Sequence, residues 1–238
     1  MAQYKVDILA FGAHSDDVEI GMAGSICKWT KNGRTAVICD LTEAELSSNG
    51  SVKTRHQEAA QAATCMGVEE RLNLRLPDRG LILTDEYIRQ ITNVIRQYQP
   101  KLVFAPFPED RHPDHGRCAE LVKEAFFSAG IRKYETSGGY NAHKAKNLFY
   151  YFINSNTRPD FVVDITDFME KKMSVLQSYQ SQFLPGPAGI PTPLTDGYLE
   201  RVQARERIYG LEAGITYAEG FKTDHPILVN KDIFGEGL

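Results

Sequence analysis

Two short motifs in the sequence place histidine beside carboxylates in a way that suits a divalent metal ion. They are His14-Ser15-Asp16-Asp17 and His112-Pro113-Asp114-His115, which together contain three of the six histidines. Buried adjacent carboxylates need a neutralising charge, and catalytic zinc takes three protein ligands while keeping one position for water. Because Asp16 and Asp17 cannot point the same way, one can bind a metal while the other faces a substrate. An isolated aspartate near a helix start is more often a cap, but the two motifs together favour a metal site.

The second motif also has the form of a helix start. Pro113 and Asp114 are residue types favoured at the beginning of a helix, which puts His115 in the first helical turn. The positive end of the helix dipole favours a neutral imidazole there. A histidine that binds a metal must be neutral, so the position suits a ligand.

Alternating strand and helix patterns predict the fold that would carry these motifs. The first half predicts strands at 6–13, 35–41, 71–76 and 101–106 and helices at 18–31, 54–66, 85–97 and 114–129. The second half predicts strands at 147–153 and 161–165 and helices at 168–183 and 198–211. This order indicates a single α/β domain over residues 1–238, a Rossmann-like three-layer sandwich whose mostly parallel sheet has helices on both faces.

The residues that could do chemistry follow the predicted strands. In an open parallel sheet, ligands bind outside the carboxyl ends of the strands, so segments distant in sequence converge there. A further segment, 184–197, is rich in proline and glycine and is too long for a simple connector. Loops of that kind are often lids or binding loops.

Composition narrows the class of protein. The chain has 238 residues, a net charge of −4 and no basic cluster, which argues against partners such as nucleic acid or an anionic membrane. No apolar run is long enough to span a bilayer and the amino terminus lacks signal-peptide features, so we expect a cytoplasmic protein. The four cysteines, 27, 39, 65 and 118, form no C-x-x-C motif, and we expect buried thiols.

These motifs resemble those of the LmbE/PIG-L family of zinc-dependent N-acetylglucosaminyl deacetylases, and the resemblance covers most of the chain. Within that family the closest likeness is to the deacetylases of bacillithiol biosynthesis. The matching stretches are 13–19, 40–50, 77–80, 109–115 and 192–198. One departure is Ser15, which stands where the family most often has proline. A residue at that position is not a ligand in the family, so the site should remain competent.

The resemblance implies a role for each site residue. His14, Asp17 and His115 would bind Zn(II), although Fe(II) or another divalent metal can share such ligands. Asp16 matches the general base, His112 a second acid or charge-stabilising group, Asp114 the residue that orients His112, and Tyr198 a tyrosine that assists at the oxyanion. Six residues are candidates for substrate binding: Ser48, Asn49, Arg55, Asp78, Arg79 and Arg111. For each arginine the alternative is a surface ion pair.

The implied reaction is hydrolysis of the N-acetyl group of an amino-sugar glycoside, with N-acetylglucosaminyl malate as the expected substrate. The resemblance also implies a homo-oligomer. Three rival functions remain open. The same site could act on another N-acyl sugar, a chitooligosaccharide or a thiol conjugate. From other classes, two histidines and one carboxylate also form the facial triad of Fe(II) oxygenases, and the chain could be a metal-binding module without catalysis.

Overall fold

The computed structural model describes residues 4–184 and 186–227, and within them the chain forms one seven-stranded sheet. The strands are β1 Ile8–Gly12, β2 Ala36–Thr42, β3 Glu70–Leu76, β4 Leu102–Pro106, β5 Asn147–Tyr151, β6 Phe161–Asp164 and β7 Ala218–Thr223. The helices are α1 Asp17–Lys31, α2 Val52–Met66, α3 Asp85–Tyr98, α4 Pro113–Ala129, α5 Met169–Leu176, α6 Gln180–Phe183 and α7 Tyr198–Glu212. A 3₁₀ turn, Thr166–Phe168, precedes α5.

The spatial order of the strands is β3-β2-β1-β4-β5-β7-β6. The first five strands pair in parallel, while β7 runs antiparallel to both β5 and β6. All five parallel strands therefore end at the same edge of the sheet. This confirms the predicted α/β fold with a mostly parallel sheet.

Two apolar layers cover the two faces of the sheet. In β1 the side chains alternate, with Ile8 and Ala10 packing on one face and Leu9 and Phe11 on the other. The first face is covered by α1, α2 and α5 to α7, and the second by α3 and α4. Such two-sided burial explains why the central strands read as nearly continuous apolar runs.

The predicted helices and strands of the first half agree with the structure to within two residues at nearly every boundary. Differences arise later in the chain. The single helix predicted over 168–183 is divided into a 3₁₀ turn, α5 and α6. Strand β7 was not predicted, and the strand predicted over 147–153 ends at Tyr151.

All four cysteines carry free thiols. Three of these thiols are buried as expected, whereas Cys65 is half-buried. Burial raises the pKa of the Cys27 thiol to about 12. Among the described residues, no helix combines the length and the apolar character that crossing a membrane requires.

Helix α1 approaches the sheet very closely at Gly21. A Cβ atom added there would overlap the ring of Tyr151, a buried residue whose hydroxyl donates to the Phe11 carbonyl oxygen at 2.7 Å. Glycine at this position lets the first part of α1 rest directly on β5. The helix can thus carry Asp16 and Asp17 to the sheet edge.

We expect Gly21→Ala to destabilise the protein, although glycine to alanine ordinarily stabilises a helix interior. Overpacking against Tyr151 should lower the free energy of unfolding by about 1–3 kcal/mol, as measured by urea denaturation. The control is Gly130→Ala, where the added Cβ would meet its nearest atom at 3.6 Å and the backbone is right-handed. Equal unfolding free energies for the two variants would contradict the close approach.

Candidate metal centre and active site

The predicted site residues surround one cavity at the carboxyl ends of the parallel strands. Its volume is about 240 Å³. Twelve of the thirteen predicted site residues line it: His14, Asp16, Asp17, Ser48, Asn49, Arg55, Asp78, Arg79, Arg111, His112, His115 and Tyr198. Asp114, the thirteenth, is buried behind the others. The strand ends therefore bring together residues that are as much as 184 positions apart in sequence, from His14 to Tyr198.

Asp17 lies between two imidazoles. Its Oδ1 is 3.1 Å from Nε2 of His115, and its Oδ2 is 3.6 Å from Nδ1 of His14. All three side chains are nearly inaccessible to solvent. One nitrogen of each imidazole thus lies beside an oxygen of the Asp17 carboxylate.

In each of these two histidines, the ring nitrogen that faces away from Asp17, here called the far nitrogen, contacts a carboxylate. His14 Nε2 is 3.2 Å from Asp78 Oδ1, and His115 Nδ1 is 2.9 Å from Asp110 Oδ1. Histidines that bind metals almost always have such a partner, which fixes the tautomer and the ring orientation. The near nitrogens, His14 Nδ1 and His115 Nε2, are consequently the ones free for a metal.

Within the described residues, two groups of three have ligand atoms close enough to hold a metal ion: His14 with His112 and His115, and His14 with Asp78 and Asp114. His14 belongs to both groups. His112 differs from the other two histidines because its Nδ1 accepts a hydrogen bond from the Asp114 backbone N–H, 3.3 Å away, and caps α4. The carboxylates on the far nitrogens favour His14 and His115, with Asp17, as the ligand set.

The electrostatics of the site favour positive charge. Burial opposes a proton on His115, yet Asp17 and Asp110 outweigh it and raise its pKa to about 9. Burial likewise opposes ionisation of Asp17, but His115 and His14 hold its pKa well below the usual value. A cation bound between these groups would satisfy the same carboxylates that here favour protonated histidine. The donor set therefore fits a divalent metal.

Asp16 is held by a buried arginine. The Arg55 Nη2 atom is 3.1 Å from Asp16 Oδ1, and its Nε donates to the Ser15 hydroxyl at 3.3 Å. Arg55 is only 2% exposed. We predicted a substrate contact for Arg55; it does line the cavity, but its guanidinium also fixes one oxygen of Asp16. The hydroxyl of Ser15, the residue at the position where the family most often has proline, accepts the hydrogen bond from Arg55 Nε.

Asp114 contacts the His112 ring through its backbone, and its carboxylate contacts Arg79. Its two oxygens accept hydrogen bonds from the backbone N–H and the Nη1 of Arg79, at 2.8 and 2.9 Å. Only the backbone N–H of Asp114 reaches His112. The reason is that Asp114 lies in the first turn of α4, where the backbone faces the capping histidine and the side chain faces the loop after β3.

Asn49, predicted to bind substrate, lines the cavity and also holds a neighbouring loop. Both polar atoms of its amide bind the backbone of Ile190, with Nδ2 donating to the carbonyl oxygen and Oδ1 accepting from the N–H, each at 2.8 Å. It thereby fastens the proline- and glycine-rich loop to the loop after β2. Ser48, beside it, is exposed at the cavity.

Two residues that we did not predict complete the hydrogen-bond network. Asp110 accepts from the Asn154 N–H and Nδ2, both at 2.9 Å, as well as contacting His115. Asn154 Oδ1 in turn lies 3.1 Å from the Tyr198 hydroxyl. Burial raises the pKa of Tyr198, so its phenol stays protonated. The sequence places Asp110 five residues before His115, and this spacing could have predicted a carboxylate that supports the imidazole ring. No sequence pattern pointed to Asn154.

Comparisons with known proteins agree with this fold. Residues 9–126 match the family model described as PIG-L: GlcNAc-PI de-N-acetylase. The diacetylchitobiose deacetylase of Thermococcus kodakarensis is 30% identical over 228 residues, covering 90% of this chain and 82% of that protein. A probable N-acetyl-alpha-D-glucosaminyl L-malate deacetylase 2 of Bacillus anthracis is 24% identical over 219 residues, covering 84% and 92%. The crystal structure of a conserved protein of Thermus thermophilus superposes with a TM-score of 0.86 at 33% identity, covering 94% and 97%.

The fold and these comparisons thus define an α/β protein of the deacetylase type, with a cavity lined by histidine and aspartate at the strand ends. The chain belongs to the PIG-L family of deacetylases.

Asp110→Asn should weaken metal binding without unfolding the protein. An amide removes the negative charge beside His115, and loss of such a supporting contact typically lowers metal affinity by about 10–100-fold. Competition between the protein and a chromophoric chelator for Zn(II) measures the change. The control is Asp85→Asn, the same replacement at a side chain that is 67% exposed. If the two variants bind Zn(II) equally well, Asp110 does not support a metal ligand.

Proposed function

We propose that this protein is a metal-dependent N-deacetylase of N-acetylglucosaminyl substrates. The observation that carries the proposal is the meeting of Asp17, His14 and His115 with Asp16 in one cavity, with both far imidazole nitrogens on carboxylates. Metal-assisted hydrolysis of an amide uses a metal, a base and a proton donor together, because the amide is a poor electrophile and water a poor nucleophile.

His14 Nδ1, Asp17 and His115 Nε2 would hold the metal, with Zn(II) as the first expectation. When bound, such a metal polarises a carbonyl group and lowers the pKa of a coordinated water toward ~7. Fe(II) can share these ligand types.

Asp16 would act as the general base. Arg55 holds its Oδ1. In the described part of the chain, Oδ2 has no hydrogen-bond partner, so this oxygen is available to take a proton from the attacking water. Because Asp16 is 5% exposed, little bulk water competes for that position. The loop anchored by Asn49 borders the same cavity and adds to the exclusion of water.

His112 would donate a proton or stabilise negative charge as the amine leaves. The Asp114 N–H donates to Nδ1, so a neutral ring carries its proton on Nε2. Burial and the nearby imidazoles of His14 and His115 lower the pKa of His112, which makes its protonated form a stronger acid. Tyr198 would assist at the oxyanion if its hydroxyl proton turned away from its two acceptors, Asn154 Oδ1 at 3.1 Å and Ile153 O at 3.2 Å.

An anionic aglycone is supported by the arginines at the cavity. Arg111 is exposed and has no ion-pair partner within residues 4–184 and 186–227. Arg79 is 48% exposed although it pairs with Asp114. Guanidinium groups bind carboxylates through paired donors, and malate carries two carboxylates. We therefore propose N-acetylglucosaminyl malate as the substrate. Diacetylchitobiose is the second candidate, favoured by the relative that is 30% identical.

Acetate release from both candidate substrates tests the function. We expect release that a chelator abolishes and Zn(II) restores. Asp16→Asn should lower kcat by about 10²–10⁴-fold, because proton transfer by a positioned base contributes that much. Its Zn(II) affinity should stay close to that of the unchanged protein, with Asp85→Asn as the matched control. An Asp16→Asn variant that keeps full activity would eliminate Asp16 as the base.

Arg111→Ala should separate the two substrates. Losing a charge-assisted hydrogen bond of about 1.5–3 kcal/mol corresponds to a 10- to 100-fold rise in KM for the malate glycoside. Diacetylchitobiose, which lacks carboxylates, should be cleaved with an unchanged KM. Arg117→Ala, on the exposed face of α4, serves as control. A similar loss on both substrates would mean that Arg111 does not read a carboxylate.

A further inference from the structure

Helix α1 is broken just after the residues that it contributes to the site. Met22 has φ −150° and ψ 21°, which is not helical. In a continuous helix, the Gly24 N–H would donate to the Ile20 carbonyl oxygen four residues earlier. Here the donor and the acceptor of that hydrogen bond both bind side chains from elsewhere in the chain. The break lies five residues after Asp17 and two residues after Ile20, which itself lines the cavity.

Four buried charged side chains, which we name the α1-break cluster, supply the replacements: Lys172, Arg205, Glu206 and Glu219. They come from α5, α7 and β7, and each is at most 8% exposed. Lys172 Nζ is 2.6 Å from Glu219 Oε1 and 2.7 Å from Glu206 Oε1. Arg205 Nη2 is 2.7 Å from Glu206 Oε1. Two positive and two negative charges make the cluster neutral.

The α1-break cluster supplies hydrogen-bond partners for backbone groups on both sides of the break. Glu219 accepts hydrogen bonds from the Gly24 N–H at 2.9 Å and from the Ser25 N–H at 2.6 Å. The Ile20 carbonyl oxygen accepts from Lys172 Nζ and from Arg205 Nη2, both at 2.9 Å. An ion pair between Lys172 and Glu219 thus takes the place of one helical hydrogen bond.

Arg205 also reaches the strand end on the other side of the cavity. Its Nη1 donates to the carbonyl oxygens of Phe152 and Ile153, at 3.0 and 2.8 Å. The next residue, Asn154, contacts both Asp110 and Tyr198. One guanidinium therefore links the segment that carries Asp17 to the segment that supports His115.

Buried ionic groups are costly for a fold to retain. Desolvation of a buried ion pair often exceeds the attraction it gains, and an apolar core of the same volume is often as stable. An unbroken α1 would satisfy Ile20 and Gly24 with no buried charge. The cluster is therefore poorly explained by stability alone, and its contacts all lie on segments that lead into the cavity.

We propose that the α1-break cluster positions the metal site, with Arg205 as the positioning residue that sets Asp17 and the Asn154–Asp110–His115 chain relative to each other. The inference rests on the proposed function only in assigning a metal to Asp17 and His115. It extends that function to residues that touch neither substrate nor metal. Displacement of Ile20 and Ile153 should separate ligands that must converge within one coordination sphere.

The test compares two buried arginines. Arg205→Met removes the guanidinium from the cluster. Arg96→Met is its matched control, because Arg96 is 3% exposed and donates to the carbonyl oxygens of Ser128, Ala129, Ile131 and Tyr134. Those carbonyls lie in the last turn of α4 and in the segment just after it, and the end of α4 is about 20 Å from His115 at 1.5 Å per residue. Each full-length variant is measured for thermal unfolding, Zn(II) affinity by chelator competition, the visible absorption of bound Co(II), and kcat and KM for acetate release.

We expect both variants to lose thermal stability, but only Arg205→Met to lose Zn(II) affinity, by about 10-fold or more, the effect typical of a lost supporting contact. The same variant should change the Co(II) spectrum and lower kcat more than it raises KM. Arg205→Lys keeps the charge beside Glu206 and should restore stability. It should restore only part of the metal affinity, because one ammonium cannot reach the carbonyl oxygens of both Ile20 and Ile153. This variant also decides the matter if Arg205→Met does not fold.

Zn(II) affinity and a Co(II) spectrum that stay unchanged in the Arg205 variants, or that change as much in Arg96→Met, would overturn the proposal. These two measurements need no turnover. Failure of the proposed function would instead appear as absent acetate release by the unchanged protein, whatever the metal measurements give.

Discussion

The structure depends on one electrostatic constraint, the crowding of carboxylates at the end of a parallel sheet. Five of them lie in or directly behind one small cavity: Asp16, Asp17, Asp78, Asp110 and Asp114. Two arginines, Arg55 and Arg79, pair with two of these groups, and the remainder are satisfied by imidazoles. Despite burial, contacts with His14 and Arg79 hold the pKa of Asp114 at about 2. Such charge is stable only beside a cation, so the same crowding that is costly by itself prepares the cavity for a metal.

The sequence predicts the parts of this arrangement that are local. His14 and Asp17 directly follow a buried strand, and His115 occupies the first turn of a helix with clear start signals, so both could be placed from neighbouring residues alone. Contacts between distant segments could not be placed in this way. Asn154 supports Asp110 only because β5 lies beside β4, and Asn49 anchors Ile190 across 141 positions of sequence. No sequence pattern indicates which distant residue an amide side chain in a loop will contact.

The same distinction explains the fold. The parallel strands β1, β2 and β4 are buried on both faces and read as apolar runs, whereas β7 contains a glycine and two charged residues and shows no such run. Its buried charge, Glu219, is there because it completes the broken helix α1. The predicted helix over 168–183 fails for a related reason. Around Tyr179, whose hydroxyl donates to Glu19 at 2.8 Å, tertiary contacts outweigh helix propensity.

Chemistry and specificity are carried by different parts of the molecule. The proposed metal ligands and Asp16 belong to strand ends and first helical turns beside the packed sheet. Arg111, Ser48 and the loop fastened by Asn49 belong to longer segments at the rim of the cavity. Relatives named for a chitobiose and for a malate glycoside can therefore share the first set while differing in the second. Overall identities of 30% and 24% to these two relatives do not distinguish their substrates for this chain, so the identity of the substrate has to be sought in the charge at the rim. There the unpaired guanidinium of Arg111, alone in this respect among the cavity arginines that the described residues include, favours an acidic aglycone.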